Sequence, residues 1–418
     1  MDVASQPFAG CKQASDFEQA RRLCTLRAPQ NNNRGDCKKQ SQCWDTAWSS
    51  DSRLFAWSCG RRQVKIVRTE DFDNYEALEK CIKIDCWQIV MALEFADLSR
   101  HRDSIQVPTD THNYRILQWE EHSQVLAIGM RNGRIRLIDV NTGSILLELL
   151  DHTDHVSHLQ FIPDSTLTLA SASYDGTIKL WDLADDGNMR ASIKPTDHLS
   201  CRGEVHKVFC ISSSPDTLRL ASVGTFKTVV IFNMQTLKVA QKLVGHANHV
   251  NCCQFGPDGV LLITASVDTS AIIWNSYTGQ IFAKLGHQYP PPPEWFPGEN
   301  DTEVLQCAFT RSGLGAATVA SDGYVRFWDL TNELEEPSTV YEVADPLCCS
   351  FNMSGSKLAI GTTSGDVEMV KNTCKTLSLA KLCRTVVNNI KDINYFAIND
   401  MMIPSSLKEF LRYEYVDL

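Results

Sequence analysis

Short runs through the middle of the chain alternate apolar with polar positions. The run that recurs best lies between Asp151 and Leu183, DHTDHVSHLQFIPDSTLTLASASYDGTIKLWDL. A His stands near its start, Val156, Leu159 and Phe161 follow, and Pro163 with Asp164 marks a turn. An apolar run then ends in Ser171-Ala172-Ser173, a second turn falls at Tyr174, Asp175 and Gly176, and Thr177 to Trp181 alternate before Asp182. Period-two alternation makes two-faced strands, and Pro-Asp and Asp-Gly pairs make tight turns. The pattern predicts a four-stranded antiparallel unit of about 40 residues. One small sheet cannot bury both of its faces, so the unit needs neighbours.

It has them. Gly245 to Ser276 matches almost position for position, with His246 for His152, Val250 for Val156, Phe255 for Phe161, Asp268 for Asp175 and Trp274 for Trp181. Weaker copies end at Asp139, Asn233 and Asp329, and the most eroded ones at Val67 and Val370. Seven units result, spaced by about 40 to 55 residues except for one gap of roughly 70.

With a Gly-His or its equivalent near the start of a unit and Trp-Asp at its end, the chain resembles the WD-repeat β-propellers. The resemblance is strongest in the units ending at Trp181, Trp274 and Trp328. It implies an all-β, seven-bladed ring in which His, Ser or Thr, Asp and Trp form a buried hydrogen-bonded set within a blade. Here these are His152, Ser171 or Ser173, Asp175 and Trp181, and again His246, Thr264 or Ser266, Asp268 and Trp274. Their role is structural, because a buried polar group left unpaired is costly. After Val370 no residues remain for the last blade's fourth strand, so a strand near Leu23 to Leu26 is expected to close the ring.

The net charge of −10, without a long basic run, argues against nucleic acid as the main partner. No 18-residue apolar run and no leader at Met1 are found, so an intracellular chain, cytoplasmic or nuclear and without a membrane association, is expected. The sixteen cysteines then read as reduced thiols used as small apolar residues, as at Cys252-Cys253 and Cys348-Cys349. His152, His155 and His158 are spaced like metal ligands, but GHANHV repeats the first two as His246 and His249, so the repeat accounts for them. Phosphate loops, HExxH and GxSxG are absent, and no cofactor, metal or catalytic residue is assigned.

Residues 1–40 read as an arm rich in Gln, Asn and Lys, and 41–372 as the propeller. The first unit has lost its Gly-His and Trp-Asp marks, and its Trp residues are expected to fill space between blades. A polar insertion from about Ala96 to Asn113 would join the first and second strands of blade two, on the face opposite the His loops. Between the fifth and sixth units, GHQYPPPPEWFPGENDTE places Trp295 and Phe296 on a proline-stiffened loop, candidate anchors for a protein substrate.

After Val370 the alternation stops. Leu379, Leu382, Cys383, Val386, Val387 and Ile390 recur at helical spacing, Ser378 is placed to cap the first turn, and a second apolar helix follows Pro404 with Leu407, Phe410 and Leu411. Stripes this short cannot bury each other and demand a partner. The segment 376–418 resembles the SOCS box, whose pattern of Ser, Leu, Cys and aliphatic is supplied by Ser378, Leu379, Cys383 and Val387. By that resemblance Leu379, Leu382, Cys383, Val386 and Val387 would bind elongin C, and through it elongin B. Ile403, Pro404 and Leu407 would face a cullin, cullin-5, with its RING protein, although Met402 stands where the family has its first proline.

A propeller followed at once by a SOCS box is the arrangement of the WD-repeat and SOCS-box-containing proteins. It implies a non-catalytic substrate-recognition subunit of an elongin–cullin–RING ubiquitin ligase, holding a protein target on its top face. The alternative is a WD-repeat scaffold whose terminal helices dock another partner.

Overall fold

The computed structural model describes residues 18–19, 22–27, 42–60, 62–72, 81–96, 124–163, 167–184, 186–199, 206–287, 302–330 and 336–372. They form seven sheets. Blade one holds β3 (Thr46–Trp48), β4 (Leu54–Ser58), β5 (Gln63–Arg68) and β6 (Ile82–Asp85), and blade two β7 (Val90–Phe95), β8 (Val125–Met130), β9 (Ile135–Asp139) and β10 (Ile145–Leu149). Blade three holds β11 (Val156–Phe161), β12 (Thr168–Ser173), β13 (Ile178–Asp182) and β14 (Asn188–Ile193), and blade four β15 (Val208–Ser213), β16 (Arg219–Gly224), β17 (Val229–Asn233) and β18 (Val239–Leu243). Blade five comprises β19 (Val250–Phe255), β20 (Leu261–Ser266), β21 (Ser270–Asn275) and β22 (Ile281–Gly286). Blade six has β23 (Val304–Phe309), β24 (Gly315–Ala320), β25 (Tyr324–Asp329) and β26 (Thr339–Glu342); blade seven has β27 (Pro346–Phe351), β28 (Lys357–Thr362) and β29 (Val367–Lys371).

The first strands of neighbouring blades touch in sequence, β3 with β7, β11, β15, β19, β23 and β27 in turn, and β27 meets β3 again. The ring is therefore closed. The second strands β8, β12, β16, β20 and β24 are buried at every position, as strands covered on both faces must be. Outer strands such as β14 and β18 expose alternate or successive side chains.

The amino-terminal stretch supplies two further strands. β2 (Arg22–Leu26) lies antiparallel to β29, with Leu26 opposite Val367, and completes blade seven as its outermost strand. β1 (Glu18–Gln19) runs parallel to β26, pairing Glu18 with Thr339, and gives blade six a fifth strand. A two-residue parallel pairing carries no periodic signal in the sequence.

At the junction of blades seven and one, Leu26, Phe55, Trp57, Val367 and Met369 share one core cluster. Phe55 stacks on Trp57 at 5.7 Å between ring centroids, and Trp48 packs on Phe55 at 4.7 Å. Trp48, Phe55 and Trp57 of the eroded first blade thus fill the space between blades, whereas Trp44 is 38% exposed and does not. The described cysteines are all free thiols, and all but Cys24 and Cys81 are buried. Among the described residues no helix is long and apolar enough to cross a membrane.

Candidate functional site

In blade three His152 Nδ1 donates to Asp175 Oδ2 at 2.7 Å, because a carboxylate can only accept. The other ring nitrogen, Nε2, then accepts from Ser171 Oγ at 2.7 Å, and Ser171 Oγ accepts from Trp181 Nε1 at 2.8 Å. Ser173 is not part of this set; its hydroxyl donates to the Asp154 carbonyl at 3.1 Å. Blade five repeats the geometry, with His246 to Asp268 at 2.8 Å, His246 to Thr264 at 2.7 Å and Trp274 to Thr264 at 2.8 Å. Burial alone would raise the carboxyl pKa of Asp175 and Asp268. Hydrogen bonds from His152 and Thr177, and from His246 and Ser270, outweigh it and hold both below the usual carboxylate range.

Ser171, His152 and Asp175 have the connectivity of a Ser-His-Asp triad, but not its accessibility. Ser171 is 0% exposed and its oxygen is already engaged by Trp181, so no substrate carbonyl can reach it. Blade five holds the same constellation with a threonine, which identifies both sets as structural.

Blade six departs from the pattern. His287 Nε2 and Trp328 Nε1 both meet Thr318 Oγ1 at 2.9 Å. Asp322, in the place of Asp175, instead accepts from Arg326 at 2.5 and 3.2 Å. Tyr324 occupies the slot of Thr177 and Ser270, so the hydroxyl that steadies the carboxylate in the other blades is gone. His287 Nδ1 is left without a hydrogen-bond partner of good geometry. Burial, with the Arg326 guanidinium adding to it, pushes the His287 pKa down to about 3.

The three histidines spaced like metal ligands are dispersed. His152 belongs to the blade set, His155 accepts from Arg131 Nε at 2.6 Å, and His158 lines the central channel. Among the described residues no group of His, Cys, Asp and Glu is arranged to hold a metal.

The channel is a cavity of about 340 Å³ lined by the first strands of the blades. Its wall is stitched from blade to blade by side-chain acceptors on backbone N–H groups. Gln160 accepts from Ser213 at 2.7 Å, Gln254 from Phe309 at 2.5 Å, Gln306 from Cys349 at 2.6 Å, Ser212 from Phe255 at 2.9 Å and Asp45 from Leu93 at 2.7 Å. Thr46 and Ser350 share a 2.7 Å hydroxyl bond across the closing junction. Burial raises Asp45 to about 7 despite the N–H groups of Leu93 and Thr46, and burial, with Asp45 nearby, raises Glu94 to about 8.

The loops that carry the histidines open onto one face. There the turn after β12 packs on the loop entering β15, and Gly176 makes the approach possible. It has φ +80, and a Cβ would stand 2.5 Å from the His206 carbonyl oxygen. Gly176→Ala is expected to lower stability by about 1 to 3 kcal/mol. Gly143→Ala, at φ +71 with nothing within 4 Å of its would-be Cβ, should cost distinctly less. Thermal denaturation of the two variants checks the difference.

The residues expected to contact elongin C, Leu379, Leu382, Cys383, Val386 and Val387, and the cullin, Ile403, Pro404 and Leu407, lie outside the described residues. So do Trp295 and Phe296, and the blade-two insertion expected from about Ala96 to Asn113, beyond Ala96 itself; β7 and β8 are the strands on either side of it.

The WD domain, G-beta repeat family model matches residues 143–182 and 237–275. WD repeat and SOCS box-containing protein 1 of Homo sapiens is 36% identical over 405 residues, covering 90% of this chain and 93% of the relative. The Danio rerio protein of the same name is 35% identical over 91% of this chain and 93% of its own length. Pre-mRNA-processing factor 19 of Oryza sativa is more distant, at 27% identity over 70% of this chain and 54% of the relative.

Proposed function

Because the chain belongs to the WD repeat and SOCS box-containing protein family, we propose that it is a substrate-recognition subunit of an elongin–cullin–RING ubiquitin ligase. The propeller holds a protein target, and the terminal segment 376–418 docks elongin C, with elongin B, and a cullin, cullin-5 by the family pattern. The chain performs no bond chemistry itself; it raises the concentration of the target beside a ubiquitin-loaded enzyme.

The observation that carries this is where the propeller ends. Asn372 is fastened to the turn between β27 and β28, its N–H to the Ser356 carbonyl at 2.9 Å and its side-chain amide to the Gly355 carbonyl at 2.8 Å. That turn lies on the face opposite the His loops, because successive strands of a blade run in alternate directions. The stretch SLAKLCRTVV begins only a few residues later. Target and ligase can therefore be held on opposite faces without competing for one surface. Among the described residues, thiols that are buried but for Cys24 and Cys81, together with engaged blade hydroxyls, favour a rigid binding module over an enzyme.

Co-purification of the chain with elongin B and elongin C tests the reading. Wild type is expected to form a stoichiometric complex. The variant carrying Leu379→Ala and Cys383→Phe should lose it while the propeller melts at an unchanged temperature. A wild-type chain that captures neither elongin would sink the proposal.

A further inference from the structure

On the His-loop face, a contiguous cluster spans blades two, three and four and takes no part in the blade sets. Arg131 sits in the turn after β8 and donates from Nε to His155 Nε2. An imidazole nitrogen that accepts carries no proton there, so this contact leaves the guanidinium charge uncompensated. The His155 ring lies 5.2 Å from Tyr174, Tyr174 lies 5.4 Å from Phe209, and the Lys207 ammonium stands 4.9 Å from the Tyr174 ring centre. Two cations thus flank a shelf of aromatic rings.

Among the described residues no carboxylate lies within ion-pair distance of Arg131 or Lys207; of the two nearby acids, Asp154 stands at His155 Nδ1 at 2.5 Å and Asp175 is engaged by His152 and Thr177. Both cations therefore stand ready for carboxylates from outside, on a chain whose net charge is −10. Across the same face stand further acids. Glu303, Asp345 and Asp366 sit at the ends of strands in blades six and seven. Those acids disfavour an acidic ligand there, whereas the unpaired Arg131 and Lys207 attract one here. The close seating of Gly176 on the His206 backbone fixes Tyr174 relative to Lys207, which lowers the entropy cost of binding between them.

We propose that the Arg131–His155–Tyr174–Lys207–Phe209 patch is where the propeller grips an Asp- or Glu-rich segment of its target. The carboxylates bond Arg131 and Lys207, and an apolar neighbour in the segment covers Tyr174 and Phe209. The assignment rests on the substrate-receptor reading of this face and names the chemistry that face selects.

The test uses the full chain and a fluorescein-labelled peptide of alternating Glu and Gly with one central Phe, read by fluorescence anisotropy. The Glu peptide is expected to bind, its Gln counterpart not to, and added salt to weaken the binding. Arg131→Ala combined with Lys207→Ala should weaken it by about tenfold or more, the loss of two charge-assisted contacts. Lys238→Ala, in the exposed turn between β17 and β18 on the opposite face, should leave it unchanged. Equal binding of the Gln peptide, full affinity in the double variant, or binding of a phosphoserine peptide but not the Glu peptide would each overturn the assignment. Elongin capture by the same double variant separates the two readings. Retained capture with lost peptide binding supports the patch on a folded protein. Peptide binding by a wild-type chain that captures no elongin upholds the patch and defeats the ligase reading.

Discussion

Thr264→Val is expected to destabilise the propeller by about 2 to 5 kcal/mol, although it removes one hydroxyl and changes the volume little. Thr264 Oγ1 is the shared partner of His246 Nε2 at 2.7 Å and Trp274 Nε1 at 2.8 Å. The His246 side chain and Trp274 are 0% exposed, so neither group can turn to water. Each orphaned buried group costs about 1 to 3 kcal/mol, and here one substitution orphans two. Thr264→Ser keeps the oxygen and loses only a methyl, at a cost of about 1 kcal/mol. The apparent melting temperature and urea midpoint of the three proteins decide the matter; a Val variant as stable as the Ser variant would show that the set contributes nothing. Thr318→Val in blade six should behave similarly, since Thr318 Oγ1 likewise serves His287 and Trp328.

Such sets were legible because two blades keep every member, His, hydroxyl, Asp and Trp, at matching positions around turns that allow little else. The choice of Ser171 over Ser173 was not. Both lie on β12 two residues apart and so share a face, and only the register of β12 on β13, which sets Ser171 opposite Lys179 and diagonal to Trp181, separates them. The exchange in blade six had a signal, Tyr324 where a small hydroxyl residue belongs and Arg326 where Lys179 stands in blade three. Reading that signal requires knowing that the carboxylate is steadied by the residue two positions on. The girdle of Gln160, Gln254 and Gln306 escaped for another reason. A polar residue in an alternating strand ordinarily marks the solvent face, but on an innermost strand that face lines a channel whose polar groups bond to the next blade. Parallel pairing of β1 with β26 rests on backbone bonds between few residues, which composition does not encode. The terminal segment is legible only as a stripe and a motif, because an amphipathic stripe states that a partner is needed without stating which.

Glu94→Gln is expected to stabilise the protein at pH 8 by about 1 to 3 kcal/mol and to change little at pH 5. Burial on the channel wall, with Asp45 close by, raises Glu94 from 4.5 to about 8, and burial raises Asp45 from 3.8 to about 7. A carboxyl whose pKa is raised on folding holds its proton in the native state over a range where the unfolded chain has released it. Folding then takes up protons, and stability falls as pH rises from the unfolded value through the folded one. For these two groups that window runs from about pH 4 to about pH 8. Asp175 and Asp268 act in the opposite sense and lower down, since their depressed carboxyls lose stability only as pH falls below the ordinary carboxylate range. The full shift of Glu94 would correspond to more than the figure given, but its side chain borders a channel wide enough for water, which softens the penalty. Glutamine retains the shape and removes the charge, so the fall in stability towards pH 8 should flatten. Asp45→Asn should not confer the same gain. The Asp45 carboxylate accepts Thr46 N–H on one oxygen at 2.8 Å and Leu93 N–H on the other at 2.7 Å, and an amide would turn its NH2 group against one of those donors. Melting temperatures of wild type, Glu94→Gln and Asp45→Asn from pH 5 to pH 8 separate the two carboxylates. A wild-type curve flat over that range would mean that the channel wall solvates Glu94 as well as bulk water does.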